Sequence, residues 1–171
     1  MLRIMSIPLL IILLSYDEHA GAFTVFICAA ISDGLDGFIA RRFKQKTRVG
    51  AYLDPIADKL LLTSSFVAFA LLGLIPKWLT ILVVSRDVII AMGIVILQLV
   101  SVQVEIKPSM LSKFTTVFQL TTIGGRLLLD VLGRHFDALP VLYWVTGILT
   151  VASGMQYVFR GLRIINEPKS E

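Results

Sequence analysis

The sequence predicts an all-α integral membrane protein, a bundle of six transmembrane helices. Hydrophobic residues make up 56% of the chain and charged residues 16%, with a mean hydropathy of +0.83. A soluble domain carries about a quarter charged residues. Long apolar stretches alternate with short polar breaks, the pattern of a chain that crosses the bilayer repeatedly. We therefore expect a single membrane domain over residues 1–171.

Six apolar stretches define the expected helices. They cover residues 2–15, 20–40, 53–75, 78–102, 110–132 and 139–159. A helix needs about 20 residues to cross the hydrocarbon core, and the last five stretches reach that length. The first is short, and its charged start at Arg3 is not followed by a small-residue cleavage site. We expect a first helix whose beginning is missing rather than a signal peptide.

Basic residues orient the bundle. Only Lys77 and Arg134 fall in the odd-numbered loops. Loops rich in Lys and Arg face the cytoplasm, so both termini and the even-numbered loops are expected there, in an inner (cytoplasmic) membrane. The net charge of +4 then suits a membrane surface rather than nucleic acid. Basic residues cluster instead in the second loop, the fourth loop and the tail: Arg41, Arg42, Lys44, Lys46, Arg48, Lys107, Lys113, Arg160, Arg163 and Lys169.

Four aspartates lie where the second and third stretches meet the cytoplasmic loop. Ionisable groups at membrane depth are costly and call for a functional or structural cause. Asp33 and Asp36 are three residues apart and Asp54 and Asp58 four apart, so each pair lies on one face of its helix. The short loop between the helices makes them antiparallel neighbours. The sequence therefore predicts that four carboxylates converge.

Converging carboxylates repel one another unless cations neutralise them. Oxygen ligands without nearby His or Cys favour Mg²⁺ or Mn²⁺ over zinc. Four carboxylates suffice for two such ions, an arrangement that stabilises attacking and leaving oxygens in phosphoryl chemistry. Arg41, on the same helix as Asp33, can hold a diphosphate bidentately. The alternative is a purely structural cluster in which the aspartates pair with Arg41, Arg42 and Lys59, but four acids in register with glycines disfavour it.

These residues form a longer motif, with spacing Asp33-x2-Asp36-Gly37-x2-Ala40-Arg41-x8-Gly50-x3-Asp54-x3-Asp58. The motif resembles the signature of the CDP-alcohol phosphotransferase family, and the length and helix layout are similar across the whole chain. The resemblance implies a membrane enzyme of six helices, usually a homodimer, whose active site opens to the cytoplasm. Its substrates would be CDP-diacylglycerol and a glycerol-type alcohol.

The resemblance also implies roles for the motif residues. All four aspartates would bind two divalent ions, Mg²⁺ or Mn²⁺. Asp58 would also be the general base that takes a proton from the acceptor hydroxyl. Attack on the β-phosphorus of the CDP-alcohol would then expel CMP. The remaining positions would contact or make room for the CDP moiety: Gly37, Ala40, Arg41 and Gly50.

Two further segments bear on the acceptor. Ser85-Arg86-Asp87 and the segment around Lys113 resemble the branch that makes phosphatidylglycerophosphate or cardiolipin, with Arg86 and Lys113 as acceptor contacts. Enzymes that use glycerol 3-phosphate are expected to carry a second arginine and a second lysine where this chain has Ile94 and Thr115. Fewer cations make a poorer site for a dianionic phosphate. We expect phosphatidylglycerol as acceptor, with glycerol 3-phosphate as the alternative.

Other interpretations stay open at this point. Intramembrane aspartates also bind permeating cations, so a small cation transporter is an alternative. The position of the aspartates at one rim rather than at the midplane argues against it. Arg86 could simply pair with Asp87 or Asp58 as a structural contact, and the spacing of Arg126 and Asp130 predicts a structural i,i+4 pair.

Overall fold

The computed structural model describes the backbone of residues 2–43, 48–99, 109–133 and 137–166, and the side chains of 6–32, 59–93, 95–96, 109–133 and 137–163. In these ranges the chain forms six α-helices and no β-strand. The all-α prediction is confirmed for this part of the chain. The helices are α1 (Leu2–Ser15), α2 (His19–Phe43), α3 (Arg48–Leu71), α4 (Lys77–Leu99), α5 (Met110–Val131) and α6 (Leu139–Asn166).

The helices match the six apolar stretches in order but extend beyond some of them. α2 continues to Phe43, α3 already begins at Arg48, and α6 continues to Asn166. Hydropathy marks the segment suited to the bilayer core, whereas backbone hydrogen bonding continues into polar residues. As a result, the two aspartate pairs fall within helical backbone rather than at helix ends.

Tight turns connect three helix pairs. Asp17, Gly73 and Gly133 adopt positive φ angles of 58°, 73° and 59° after α1, α3 and α5. This conformation ends a helix by turning the chain out of the helical path. At the other end of α5, Ser109 Oγ accepts a hydrogen bond from the Ser112 amide at 3.1 Å and caps the helix. Each turn brings its two helices into antiparallel contact, α1 with α2, α3 with α4 and α5 with α6.

α3 and α5 form the centre of the bundle. α3 packs against α1, α4 and α5, while α5 also packs against α2 and α6, and α6 returns against α4. Their meeting faces exclude solvent completely at Phe66 and Phe69 of α3, Leu79 of α4, and Ile123 and Leu127 of α5. This apolar core includes residues from all six helices and lies towards the end of the bundle where the three tight turns are, so it fixes the mutual positions of the helices that hold the site.

The surface of the bundle is apolar and much of its interior is polar. Large hydrophobic side chains such as Ile81, Ile148 and Phe159 are largely exposed. Soluble proteins rarely expose apolar surface on this scale, whereas membrane bundles do. The buried polar side chains are Ser65, Thr80, Arg86, Ser109, Thr115, Gln119, Thr122, Thr146, Thr150 and Ser153.

Within the described residues, one stretch, Leu139–Arg163, is long and apolar enough to cross a membrane by length and composition. Shorter apolar helical stretches cover Ser6–Ser15, His19–Ser32 and Lys59–Leu71. The sequence predicted five full-length spans; the described stretches of α2 and α3 are shorter than a full span and do not test that prediction. The number of membrane spans and the side of the termini therefore remain predictions.

Candidate active site

The predicted metal ligands lie on two helices. Asp33 and Asp36 fall within α2, and Asp54 and Asp58 within α3. Their side chains lie outside the described residues, so their convergence stays a prediction. The described side chains contain no group of three or more His, Cys, Asp or Glu able to hold a metal ion, which leaves the quartet untested. The predicted CDP contacts also have side chains outside the described residues: Gly37, Ala40, Arg41 and Gly50.

The residue that follows Asp58 begins a described polar network. Lys59 Nζ donates a hydrogen bond to Asp87 Oδ1 on α4. Arg86 Nη1 donates to the same oxygen at 2.7 Å. The Asp87 carboxylate therefore lies between two cations, and its side chain is 14% exposed against 46% for Lys59. This pairing fixes α4 beside the helix that contains Asp54 and Asp58.

Arg86 extends the network to two more helices. Its side chain is 4% exposed, and Nη2 donates to Ser112 Oγ of α5 at 2.6 Å and to Ser153 Oγ of α6 at 3.0 Å. Nε is buried and has no hydrogen-bond partner among the described residues. A buried donor without a partner costs free energy. The guanidinium therefore joins α4, α5 and α6, and its Nε–H is left without a described partner.

The structure separates the two residues predicted to bind the acceptor. Arg86 is buried, whereas Lys113 on α5 is exposed, and its side chain makes no hydrogen bond or ion pair that involves a described residue. Their one link is Ser112, which precedes Lys113 in the sequence and accepts a hydrogen bond from Arg86. The pair of Arg86 with Asp87, considered as the structural alternative to acceptor binding, is present in the structure. A role for Arg86 and Lys113 in acceptor binding stays a prediction.

A line of hydroxyl and amide side chains runs between α5 and α6 from Arg86 towards the turn end. Thr115 Oγ1 donates to the Leu149 carbonyl at 3.1 Å, Gln119 Nε2 donates to Thr150 Oγ1 at 3.2 Å, and Thr122 Oγ1 lies 2.8 Å from Thr146 Oγ1. Thr115 is fully buried. It is the position at which enzymes that use glycerol 3-phosphate are expected to carry a second lysine. We call this line the polar seam: Ser112, Thr115, Gln119, Thr122, Thr146, Thr150 and Ser153.

A groove opens beside Arg86 on the outer surface of the bundle. It has a volume of about 260 Å³ and lies between α4 and α6. Arg86 and Gly154 lie along it, and a Cβ built on Gly154 would come within 3.4 Å of Arg86 Cγ. The small residue thus leaves room for the arginine stem. The apolar lining of this α4–α6 groove consists of Leu82, Ile89, Val151, Met155, Val158 and Phe159.

A second charged cluster lies at the turn end of the bundle. Arg126 Nη1 pairs with Asp130 Oδ1 at 2.6 Å, which confirms the predicted i,i+4 pair. Arg126 Nε also donates to the Leu74 carbonyl at 2.9 Å, and so ties α5 to the turn after α3. These contacts fasten helix ends, which supports the structural interpretation of this pair.

Sequence reasoning did not predict the partners of Asp87 and Arg86 on other helices. Lys59 was considered only as a partner of the signature aspartates, and Ser112 and Ser153 were not assigned a role. One usable signal was Ser153-Gly154 within the apolar α6. A hydroxyl next to a glycine in such a helix permits a polar side chain of a neighbouring helix to approach closely.

The helical bundle and the position of the aspartate motif on α2 and α3 agree with a class of membrane enzymes, the transferases of phosphate-linked groups. The sequence model of the CDP-alcohol phosphatidyltransferase family matches residues 1–155. The chain therefore belongs to the CDP-alcohol phosphatidyltransferase family. The predicted family is confirmed, and the chain is an enzyme rather than a cation transporter.

The names of curated relatives fall into two groups, those for phosphatidylglycerophosphate or glycerol 3-phosphate and those for cardiolipin. The probable phosphatidylglycerophosphate synthase of Mycobacterium tuberculosis is 33% identical over 172 residues, covering 96% of this chain and 80% of the relative. The CDP-diacylglycerol–glycerol-3-phosphate 3-phosphatidyltransferase of Bacillus subtilis is 32% identical over 142 residues, covering 81% and 72%. The CMP-forming cardiolipin synthase of Rattus norvegicus is 30% identical over 189 residues, covering 100% and 62%. Similar identities to both groups leave the acceptor undistinguished.

Proposed function

We propose that the protein transfers the phosphatidyl group of CDP-diacylglycerol to phosphatidylglycerol, releasing CMP and forming cardiolipin. The observation that carries the choice of acceptor is the surroundings of Arg86, where one buried guanidinium lies beside an apolar groove. Thr115, where a second lysine would favour glycerol 3-phosphate, is buried and bonded to α6. A phosphodiester has one negative charge and suits one cation, whereas a phosphomonoester dianion favours several.

The donor end of the site rests on the signature. Asp33, Asp36, Asp54 and Asp58 would hold two divalent ions, and the family is in general dependent on divalent metals. Four carboxylates without His or Cys suit Mg²⁺ or Mn²⁺. Bound there, the ions would offset the charge of the diphosphate. Arg41 would bind the diphosphate, with Gly37, Ala40 and Gly50 leaving room for the CDP moiety.

The proposed step breaks one phosphorus–oxygen bond and forms another. The terminal (primary) hydroxyl of the phosphatidylglycerol headgroup attacks the β-phosphorus of CDP-diacylglycerol, and CMP leaves with the bridging oxygen. Asp58 accepts the hydroxyl proton, because an uncharged alcohol is a weak nucleophile at neutral pH. The Lys59–Asp87 pair holds the chain next to Asp58 against α4, which supports an acceptor that approaches from the side of Arg86.

We also propose that all six helices span the inner membrane, with the termini and the active site on the cytoplasmic side. The apolar surface and polar interior of the bundle support the membrane placement, and members of the family are membrane enzymes. The excess of basic residues in alternate loops supports the orientation. A homodimer is proposed on the family resemblance alone.

Glycerol 3-phosphate is the second candidate acceptor. Two of the relatives described above are named for phosphatidylglycerophosphate synthesis or for glycerol 3-phosphate itself. In addition, the exposed Lys113 could supply a second cation. This alternative predicts a water-soluble acceptor and a product that retains a terminal phosphomonoester.

Purified enzyme separates these functions. With Mg²⁺ and CDP-diacylglycerol, we expect CMP release and cardiolipin by mass spectrometry when phosphatidylglycerol is added. Asp58→Asn should lower the rate by about 10²-fold or more. Asp137→Asn, in the exposed connection before α6, is the matched control and should remain active. CMP release with glycerol 3-phosphate but not with phosphatidylglycerol would overturn the proposed acceptor. Full activity of Asp58→Asn would overturn the proposed base.

A further inference from the structure

Asp87 of α4 contacts α3 with both of its carboxylate oxygens. Oδ1 accepts a hydrogen bond from Lys59 Nζ, and Oδ2 lies 3.4 Å from Thr63 Oγ1. Lys59 and Thr63 are four residues apart, so they lie on one face of α3. Two contacts one helical turn apart restrain the rotation of α3 about its own axis as well as its height along α4. We call Lys59, Thr63 and Asp87 the α3–α4 brace.

The brace is anchored on the side of α4. Arg86 Nη1 donates to Asp87 Oδ1 at 2.7 Å, and the arginine side chain is buried. Its Nη2 donates to Ser112 of α5 and to Ser153 of α6. Arg86 is thus held by two other helices, and Asp87 is held by Arg86. The carboxylate is therefore a fixed point against which α3 is positioned.

The restraint on α3 acts close to the proposed reaction centre. Lys59 directly follows Asp58, and consecutive residues of a helix are about 100° apart around its axis. Because the backbone of both residues belongs to α3, a restraint on the rotation of the helix at Lys59 is also a restraint on Asp58. The same holds for Asp54, one helical turn earlier.

We propose that Asp87 is a positioning residue for the transfer reaction, and that through Lys59 and Thr63 it sets the rotation and height of α3 at Asp58. The inference rests on the proposed function, in which Asp58 is a metal ligand and the general base. Displacement of a reacting group by about 1 Å can cost about 10²-fold in rate. Residues that orient metal ligands typically contribute about 10- to 100-fold to metal affinity or activity.

Two simpler roles make different predictions. If Asp87 only offsets the charge of Arg86, its contacts with α3 have no effect on the reaction. If Lys59 binds an anionic substrate directly, its loss raises KM for that substrate. A positioning role instead lowers kcat and weakens metal binding, with KM unchanged. The Lys59 side chain is 46% exposed, and exposed ion pairs add little to stability, so Lys59 variants separate these roles from a loss of folding.

The test compares three lysine variants. Lys59→Met removes the cation, and Lys59→Arg keeps a cation that donates hydrogen bonds. Lys77→Met makes the same change at an exposed lysine at the start of α4 and is the matched control. The measurements are kcat and KM for CMP release with CDP-diacylglycerol and phosphatidylglycerol, and the unfolding midpoint in detergent. Mn²⁺ binding without substrate, followed by electron paramagnetic resonance, reports on the metal site independently of turnover.

We expect Lys59→Met to lower kcat about tenfold and to raise the dissociation constant for Mn²⁺ about tenfold. KM for both substrates and the unfolding midpoint should stay close to wild type. Lys59→Arg should recover most of the rate and of the Mn²⁺ affinity, and Lys77→Met should match wild type throughout. Thr63→Val, which removes the second contact of the brace, should change kcat and Mn²⁺ affinity in the same direction as Lys59→Met.

Asp87 itself is tested through its coupling to Lys59. If the two residues act as one device, the double variant Asp87→Asn, Lys59→Met should have the same kcat as Asp87→Asn alone. Multiplication of the two single losses would overturn the brace. The Lys59 and Thr63 variants carry the test if Asp87→Asn does not fold.

The contrary outcomes are distinct. Full activity of Asp58→Asn in the same assay would overturn the proposed function and this inference with it. Loss of activity in Asp58→Asn, with wild-type kcat and Mn²⁺ affinity in Lys59→Met, would overturn the positioning role alone. A raised KM with unchanged kcat would make Lys59 a substrate contact, and a lowered midpoint with unchanged Mn²⁺ affinity would make the pair purely structural; either result overturns the proposal.

Discussion

Arg86 Nη2 lies 2.6 Å from the hydroxyl oxygen of Ser112, and this hydrogen bond joins α4 to α5. Within the described part of the chain, these two helices do not pack directly against each other. Ser153 Oγ of α6 accepts a second hydrogen bond from the same nitrogen at 3.0 Å. The arginine therefore adds a direct polar contact between α4 and α5, which are otherwise held together through α3 and α6.

Asp87→Asn should destabilise the protein. The substitution removes the counter-charge of Arg86, which is buried, and breaking a buried pair costs about 3 kcal/mol. Lys59 is nearly half exposed, so its share is small. Thermal unfolding in detergent micelles measures the loss, with Asp137→Asn as the exposed control. Equal midpoints for the two variants would show that Asp87 does not stabilise Arg86.

Gly147→Ala should destabilise the contact between α4 and α6. A Cβ at this position would lie 2.7 Å from Trp78 Cζ3, and the Trp78 ring also packs against Trp144, with centroids 4.9 Å apart. Overpacking of this kind costs about 1–3 kcal/mol. Gly125→Ala is the matched control, since no atom lies within 4 Å of a Cβ there. That variant should gain up to about 1 kcal/mol from helix propensity.

If the steric explanation holds, Trp78→Leu combined with Gly147→Ala should recover part of the lost stability. Unfolding midpoints of the double variant and of Trp78→Leu alone provide the comparison. A midpoint of Gly147→Ala at or above that of Gly125→Ala would contradict the clash.

The polar seam should show measurable coupling between helices. Thr122 Oγ1 and Thr146 Oγ1 are 2.8 Å apart and fully buried. A double-mutant cycle with Thr122→Val and Thr146→Val should give a coupling energy of about 0.6 kcal/mol, the average for such bonds in membranes. Thr121→Val, on the exposed side of α5, should show no coupling to Thr146→Val. Coupling as large at Thr121 as at Thr122 would contradict a specific bond.

Removal of divalent metal should abolish CMP release. Four carboxylates predicted to converge cannot bind a diphosphate without cations, since the charges would repel. EDTA should stop the reaction, and Mg²⁺ or Mn²⁺ should restore it. Asp54→Asn should raise the metal concentration needed for half-maximal rate by about tenfold or more, because a ligand charge is lost. Activity that persists in EDTA would rule out the proposed metal site.

Local patterns in the sequence predicted local features well. The i,i+4 spacing of Arg126 and Asp130 was enough to predict their pair, because both lie on one helix. The aspartate signature identified the family before any fold was known, because its chemistry depends on residue types at fixed spacing. Both predictions need only the periodicity of one helix or the order of a short segment.

Contacts between distant segments were beyond such patterns. Ser153 is 67 residues from Arg86, and only the packing of α4 against α6 brings them together. Hydropathy likewise predicted membrane spans from the length of apolar stretches. It could not show that Thr115, Gln119 and Thr122 lie on the buried face of α5. In such a bundle polar side chains are buried and apolar side chains face outwards, the opposite of a soluble protein.

The polar seam has a consequence for biosynthesis. During insertion, α5 alone would present Thr115, Gln119 and Thr122 to hydrocarbon, and Arg126 and Asp130 near its end add charges that are costly to insert. α6 is apolar enough to partition by itself and carries the hydroxyls that α5 needs as partners. The two helices should therefore enter the bilayer as a hairpin, with α6 completing the insertion of α5.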